Sequence, residues 1–201
     1  MILDIVQTVI NFSNLKNQIR CSQMDKYVYD NLYIYSLNTK YGMSQEIIEK
    51  RIFCKMEKLY CYGNDKINNI SHLKKTLRVL KCGGDCGISQ KDILGLQCIE
   101  KLDCVNNYKI NSVNHLNKTL RALSCGSSGI DQKGISKLKY LEKIYCSKKI
   151  DNLSHLKNTL KILNCSGNCE INQEAILELN HIEKLDCSEN KKIDNVNHLI
   201  A

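Results

Sequence analysis

The sequence predicts an α/β solenoid with one parallel sheet of about eight short strands, short helices or 3₁₀ turns on the convex side, and a helical N-terminal cap. Seven cysteines recur at intervals of 21, 22, 21, 21, 19 and 22 residues. An aliphatic residue stands two positions before each of them, and an isoleucine follows four to six residues after. Alternating apolar residues predict a strand, and the fixed period predicts a stack of similar units that each add one strand. The cysteines are Cys61, Cys82, Cys104, Cys125, Cys146, Cys165 and Cys187.

Residues 1–31 do not follow the repeat and predict two helices. The runs LDIVQTVINF and LKNQIRCSQMDKYVYDNL form them, and Ser13 or Asn14 can cap the second. A solenoid exposes the edge of its core at its first repeat, so two helices there are typical of a cap. The repeats then occupy residues 32–201. The earliest of them, LYIYSLNTKYGM, places Leu37 in the position that cysteine holds later.

Two types of repeat alternate along the chain. The first type ends in a helix start, in which Ser, Asp or Asn precedes Gln, and Ser89 with Asp92 resembles a capping box. The second type, as in INNISHLKKTL, has apolar residues at every third position and predicts a 3₁₀ turn. A small polar residue comes three positions after most of the cysteines: Asn64, Asp85, Asn107, Ser128, Asn168 and Asn190.

The pattern L-x-x-L-x-C-x-x-N-x-x-I resembles the leucine-rich repeat family, with cysteine in a strand position that usually holds leucine. The resemblance implies a stack whose concave strand face binds a protein partner. It also implies that the cysteines pack in the core, where a thiol behaves as a small apolar group. The alternative is disulfide or metal chemistry, above all at the two C-x-x-x-C pairs, Cys82 with Cys86 and Cys165 with Cys169.

Two positions near each cysteine behave differently along the stack. Four residues before the cysteine, the charge alternates in sign: Glu57, Arg78, Glu100, Arg121, Glu142, Lys161 and Glu183. Opposite charges on neighbouring strands favour one register. The residue just before the cysteine varies instead, as expected of a position that contacts a partner, although an unselected solvent-exposed face is the alternative. The predicted partner-binding residues are Tyr60, Tyr62, Lys81, Asp103 and Tyr145.

The N-terminal segment also resembles part of an F-box. The run IVQTVINFSNLKNQIRCSQMDKYVYDNLYIYSL has an apolar helix, a short polar break and a helix with R-x-S, in the order of that motif. The resemblance to F-box and leucine-rich repeat proteins of giant DNA viruses implies docking to a Skp1-type adaptor of a cullin ubiquitin ligase. The alternative is a segment that only caps the stack. The docking residues implied by the alignment are Ile5, Val9, Ile10, Leu15 and Ile19.

Composition and motifs restrict the remaining functions. The net charge is +8, but the lysines are scattered among acidic residues, so no nucleic-acid partner is predicted. No apolar run is long enough for a membrane span and the N-terminus lacks the pattern of a secretory signal, which together predict a cytoplasmic protein, in the host cell if viral. The sequence has no nucleophile-elbow, phosphate-loop or metalloprotease motif, so no enzyme activity and no cofactor are predicted.

Four histidines recur in a shared S/N-His-Leu context: His72, His115, His155 and His198. They belong to alternate repeats and should lie about 10 Å apart, too far to share one metal ion. No metal site is therefore predicted, and the histidines are assigned to the framework of the stack.

Three functions from different classes follow from these patterns. Protein binding on the concave face is preferred, the ubiquitin-ligase adaptor is the first alternative, and a cysteine-rich redox- or metal-responsive protein is the second. The sequence closes at NVNHLIA without a further strand, which also predicts weak self-association through an uncapped C-terminal strand.

Overall fold

A computed structural model of the protein describes residues 33–39, 43–146 and 148–199. The predicted N-terminal cap and the five predicted docking residues within it lie outside these ranges. The described residues form one open sheet of eight parallel strands in sequential order, which confirms the predicted sheet. The strands are β1 (Ser36–Asn38), β2 (Lys58–Tyr60), β3 (Val79–Lys81), β4 (Lys101–Asp103), β5 (Ala122–Ser124), β6 (Lys143–Tyr145), β7 (Ile162–Asn164) and β8 (Lys184–Asp186).

Each strand has three residues, and the middle one points into the core. In β2, Leu59 is fully buried between the outward Lys58 and Tyr60, and the other strands repeat this order. The chain keeps alternating past the strand, so the cysteine two residues later also turns inward. Five of the seven cysteines are buried, and Cys146 and Cys187 are partly buried against the same core. The predicted packing of the cysteine column is confirmed.

Short helical segments separate the strands. Among the described residues, the α-helices are α1 (Gln45–Ile48), α2 (Gln90–Ile93), α3 (Gln132–Ile135) and α4 (Gln173–Leu177), each directly after the predicted Ser, Asp or Asn. At α2, the Ser89 backbone N–H donates to Asp92 Oδ2 at 2.8 Å within the predicted capping box. The 3₁₀ helices are Arg51–Phe53, Ser71–Leu73, Asn114–Leu116, Ser154–Leu156 and Asn197–Leu199, and the last four lie at the predicted turns of the second repeat type.

The prediction for the earliest repeat was wrong by two residues. Leu37 pairs with Leu59 in the sheet and therefore occupies the inward strand position, two residues before the cysteine position. Thr39, 1% exposed, takes the cysteine position instead. Its backbone N–H donates to the Tyr60 carbonyl at 2.8 Å, just as that of Cys61 donates to the Lys81 carbonyl at 2.8 Å.

Buried amide side chains join the loops of neighbouring repeats. Asn107, 1% exposed, donates from Nδ2 to the carbonyls of Cys82 at 2.7 Å and Ile88 at 3.0 Å. Its Oδ1 accepts from the Lys109 backbone N–H at 3.1 Å. Equivalent sets of three bonds occur at Asn64 and Asn190. These asparagines satisfy backbone groups that the loops would otherwise bury unpaired.

Two members of the predicted polar column do not lie there. Asp85 and Asn168 are exposed, and the next residue in each loop, Cys86 or Cys169, is buried in their place. A buried thiol needs no hydrogen-bond partner, whereas a buried carboxylate must be paired. The cysteine is thus the less costly of the two side chains to bury in the Asp85 loop.

Glutamine and histidine side chains connect the helical segments of successive repeats. Gln90, the first residue of α2, donates from Nε2 to the Ser112 carbonyl at 3.0 Å and accepts the Asn111 and Ser112 backbone N–H groups at 2.9 Å. His115 Nε2 donates in the other direction, to the Ile93 carbonyl at 2.8 Å. The other members of the two sets make equivalent bonds: Gln45, Gln132 and Gln173, and His72, His155 and His198. The framework role predicted for the histidines is confirmed.

Candidate interaction surface on the strand face

The outward side chains of the sheet form two rows, which together make the strand face. The first row contains the first residue of each strand and the second row the third residue. In the second row, sheet pairing places Tyr60 beside Lys81, Lys81 beside Asp103, and Ser124 beside Tyr145. Four of the five predicted partner-binding residues therefore lie in this one row: Tyr60, Lys81, Asp103 and Tyr145.

A groove of about 380 Å³ crosses the strand face from β3 to β6. It brings together three of the predicted residues, Lys81, Asp103 and Tyr145, whereas Tyr60 and Tyr62 are not among its lining residues. Its other lining residues are Val79, Leu80, Lys101, Leu102, Ala122, Ser124 and Lys143. With three lysines against one aspartate, the groove lining is cationic, and Val79 and Ala122 provide apolar patches between the charges.

Two lysines of the strand face lie over tyrosine rings. Lys143 Nζ is 4.9 Å from the centroid of the Tyr145 ring, and Lys81 Nζ is 5.4 Å from that of Tyr60. A cation at this distance is attracted to the face of an aromatic ring. These contacts orient both partners and hold each charge beside a large apolar surface.

Tyr62 lies beyond the end of β2 and has a packing role of its own. Its ring, 48% exposed, covers the backbone of Gly83 and Gly84 in the next repeat. A Cβ atom at Gly83 would lie 2.6 Å from this ring and 2.5 Å from the Val105 carbonyl oxygen. One side of the Tyr62 ring is thus used within the protein, while the other side is exposed at the edge of the strand face.

The predicted partner-binding set did not include Lys101, Lys143, Val79 and Ala122, which also line the groove. All four are first residues of their strands, so they point to the same side as the predicted third residues. The period of two in a strand was the signal that could have included them. The depth of the groove, by contrast, depends on the relative sizes of side chains on four strands.

The alternating charged column forms exposed ion pairs between repeats. Arg78 pairs with Glu100, Arg121 Nε lies 3.8 Å from Glu142 Oε1, and Lys161 Nζ lies 3.1 Å from Glu183 Oε1. In every pair the base belongs to one repeat and the acid to the next. Exposed pairs contribute little stability singly, so the column mainly favours one register.

No family model matches the chain, and no curated protein matches it at a significant level. Over residues 33–39, 43–146 and 148–199, no group of three or more His, Cys, Asp or Glu side chains is placed to hold a metal ion. The part of the chain that the structure describes contains no helix long and apolar enough to cross a membrane.

Proposed function

We propose that the protein is a leucine-rich-repeat-type solenoid that binds a protein partner on its strand face. The contrast between the two sides of each strand carries the proposal. Inward positions repeat Leu, Ile and Cys, and the Asn, Gln and His bonds recur between repeats. The second outward row changes from Tyr to Lys, Asp, Ser, Tyr, Asn and Asp over a uniform backbone. The side chains of this row take no part in the recurring Asn, Gln and His bonds that join the repeats, so the row can vary to match a partner.

The groove lining favours a partner segment with acidic side chains next to small apolar ones. Lys81, Lys101 and Lys143 surround the apolar Val79 and Ala122. Tyr145 adds a large surface that loses little conformational entropy on binding, a property that makes tyrosine frequent in interface hot spots. Opposite charge between the groove and the segment would raise the association rate and select the register of binding.

Charge reversal in the groove tests this proposal. The variant combines Lys81→Glu with Lys143→Glu, and the matched control combines Lys91→Glu with Lys133→Glu, which reverses two exposed lysines on α2 and α3. Both variants change the net charge by the same amount. We expect wild type and control to retain a common set of proteins from an extract of the native cell, and the groove variant to lose them. Retention of the same proteins by the groove variant would contradict the proposal.

A second candidate rests on the F-box resemblance of residues 1–31. It makes the protein a substrate adaptor of a cullin ubiquitin ligase, which would act in the cytoplasm, with the strand face holding the substrate. The test is binding of the full chain to a purified Skp1-type adaptor. Ile5→Asp with Ile10→Asp should abolish binding, while Lys91→Glu should not. Absence of binding by the unmodified chain would contradict this candidate.

The exposed side of β8 supports the proposal of weak end-to-end association. Within the described residues β8 pairs only with β7, and Leu185 is only partly buried, whereas the equivalent Leu163 is 1% exposed. An apolar pocket of about 210 Å³ lies there, lined by Ile182, Glu183, Leu185, Cys187, Val196 and Leu199. In analytical ultracentrifugation, the average mass of the unmodified protein should rise with its concentration. The Leu185→Lys variant should keep the mass of the monomer at the same concentrations. A constant monomer mass in the unmodified protein would contradict it.

A further inference from the structure

Two pairs of thiols meet between neighbouring repeats. One pair is Cys61 and Cys86, whose Sγ atoms are 3.5 Å apart. The other is Cys146 and Cys169, at the equivalent positions two double repeats later. In the sheet, Tyr145 of β6 pairs with Asn164 of β7, so Cys146 lies beside Cys165, and Cys169, four residues after Cys165, is hydrogen-bonded to the Cys146 thiol. The arrangement therefore arises from the repeat geometry.

The partner of each C-x-x-x-C cysteine is thus in the preceding repeat. The Cys86 thiol is hydrogen-bonded to that of Cys61, in the preceding repeat. Disulfide formation requires the two sulfurs to approach to roughly 2.05 Å. Sulfurs that are already in contact need only small side-chain rotations to reach that distance.

The two pairs differ in their access to solvent. Cys61 and Cys86 are both 0% exposed. Cys169 is 5% exposed and Cys146 is partly exposed. The loop after Cys146 is two residues shorter than the loop after Cys61, since its isoleucine follows after four residues instead of six. The Cys146 and Cys169 pair is therefore the more exposed of the two.

The hydrogen bond between the thiols also assigns different roles to them. Hydrogen bonding by the Cys146 thiol lowers the pKa of Cys169 to about 7. The same bond, together with burial, raises the pKa of Cys146. Since the thiolate is the nucleophile, Cys169 is the attacking sulfur near neutral pH and Cys146 is the second, resolving sulfur.

We propose that Cys146 and Cys169 form a reversible disulfide when the protein meets a hydroperoxide. The Cys169 thiolate attacks one oxygen of hydrogen peroxide, the O–O bond breaks, and hydroxide leaves and takes up the proton that Cys169 had released. The Cys146 sulfur then attacks the resulting sulfenic acid, gives up its proton, and displaces the hydroxyl as a second water. The two thiols lose two electrons, which reduce the peroxide to two waters.

The test is a thiol map of the full, initially reduced chain after treatment with hydrogen peroxide. Trypsin should release residues 144–148 joined to residues 162–184. The longer peptide contains both Cys165 and Cys169, so fragmentation of the joined peptides should place the disulfide at Cys169 and leave Cys165 as a free thiol. Dithiothreitol should return both peptides to their separate masses. We expect the rate of disulfide formation to rise with pH around a midpoint of about 7, the pKa of Cys169.

Serine variants separate this pair from the other cysteines. Cys169→Ser should slow the loss of the Cys146 thiol by about tenfold or more, because the attacking thiolate is gone. Cys86→Ser is the matched control, since it removes the equivalent cysteine of the less exposed pair and should leave that rate unchanged. Circular dichroism checks the fold, and Cys169→Ala replaces the serine variant if it does not fold.

Several results would overturn the proposal. They are the absence of the joined peptides in the unmodified protein, sulfenic or sulfinic acid at Cys169 without a disulfide, and equal rates in the Cys169→Ser variant. Formation of a disulfide between Cys61 and Cys86 at the same rate would show that access does not distinguish the pairs. None of these outcomes depends on partner binding by the strand face.

Discussion

Replacement of Asn107 by alanine tests how the stack is held together. The change removes the side chain that bonds two carbonyls, those of Cys82 and Ile88, at 2.7 and 3.0 Å, and one backbone N–H, that of Lys109, at 3.1 Å. The two carbonyls are buried, whereas the N–H group is only partly buried and can reach water. Alanine offers no replacement bond to any of the three groups.

The expected loss follows from these three groups. A buried polar group without a partner costs about 1–3 kcal/mol, so the two carbonyls give about 2–6 kcal/mol, to which the partly buried N–H adds less than a buried group would. That is a large fraction of the roughly 5–15 kcal/mol that stabilises a typical domain. Asn107→Ser should cost less, because Ser128 in the equivalent position of the next repeat still accepts a backbone N–H, that of Ile130, at 3.2 Å.

Asn168→Ala is the matched control. Asn168 stands at the same distance from its cysteine in the sequence, but its side chain is exposed. An exposed substitution of this kind usually changes stability by less than about 0.5 kcal/mol. Urea unfolding followed by far-ultraviolet circular dichroism measures both variants, with the slope of the transition compared to check two-state behaviour. Equal losses at Asn107 and Asn168, or a loss below about 1 kcal/mol at Asn107, would refute the reasoning.

Three further predictions use the same unfolding assay. Gly83→Ala should lower the free energy of unfolding by about 1–3 kcal/mol, because the new Cβ would lie 2.5 Å from the backbone oxygen of Val105, which cannot move freely. Gly95→Ala should leave the free energy of unfolding unchanged, because no atom lies within 4 Å of a Cβ at that position. Burial lowers the pKa of His115 below 6.5, so the unfolded chain binds a proton at this histidine more readily than the folded protein does. The free energy of unfolding should therefore fall as the pH drops from about 7 to 5. His115→Gln should reduce this fall, and His181→Gln, at an exposed position, should leave it unchanged. Arg78→Ala should leave the urea midpoint close to wild type, because its ion pair is solvent exposed.

The sheet could be predicted from the sequence because a three-residue strand with a buried centre leaves a clear period of two. The helix starts could be predicted because a side-chain cap is local. The wrong position of Leu37 has the same origin as the correct prediction of the strands, namely the period of two. Leu37 and Thr39 both face inward, so a shift of two residues preserves the alternation, and only the sheet pairing distinguishes the two registers.

Contacts between repeats were harder to predict than elements within them. Gln90 was visible only as part of a helix start, but its side chain makes three bonds to a loop about 21 residues later. In the Asp85 loop, counting from the cysteine cannot show which residue turns inward, because loop side chains have no fixed period. Prediction of the contact between Cys61 and Cys86 would have required both the sheet register and the knowledge that Cys86 turns inward in its loop.

The framework bonds explain why the strand face is free to vary. Each repeat satisfies its buried backbone groups through inward or edge side chains, among them Asn107, Gln90 and His115. None of these bonds uses the side chain of the third residue of a strand, so substitution of Lys81 or Tyr145 changes the surface without breaking them. Asp103, Asn164 and Asp186 differ, because each accepts the backbone N–H of the residue two positions later. Beyond the strand end, the Tyr62 ring covers Gly83. Variants for partner binding should therefore be placed at Lys81 or Tyr145, where a loss of binding can be separated from a loss of folding.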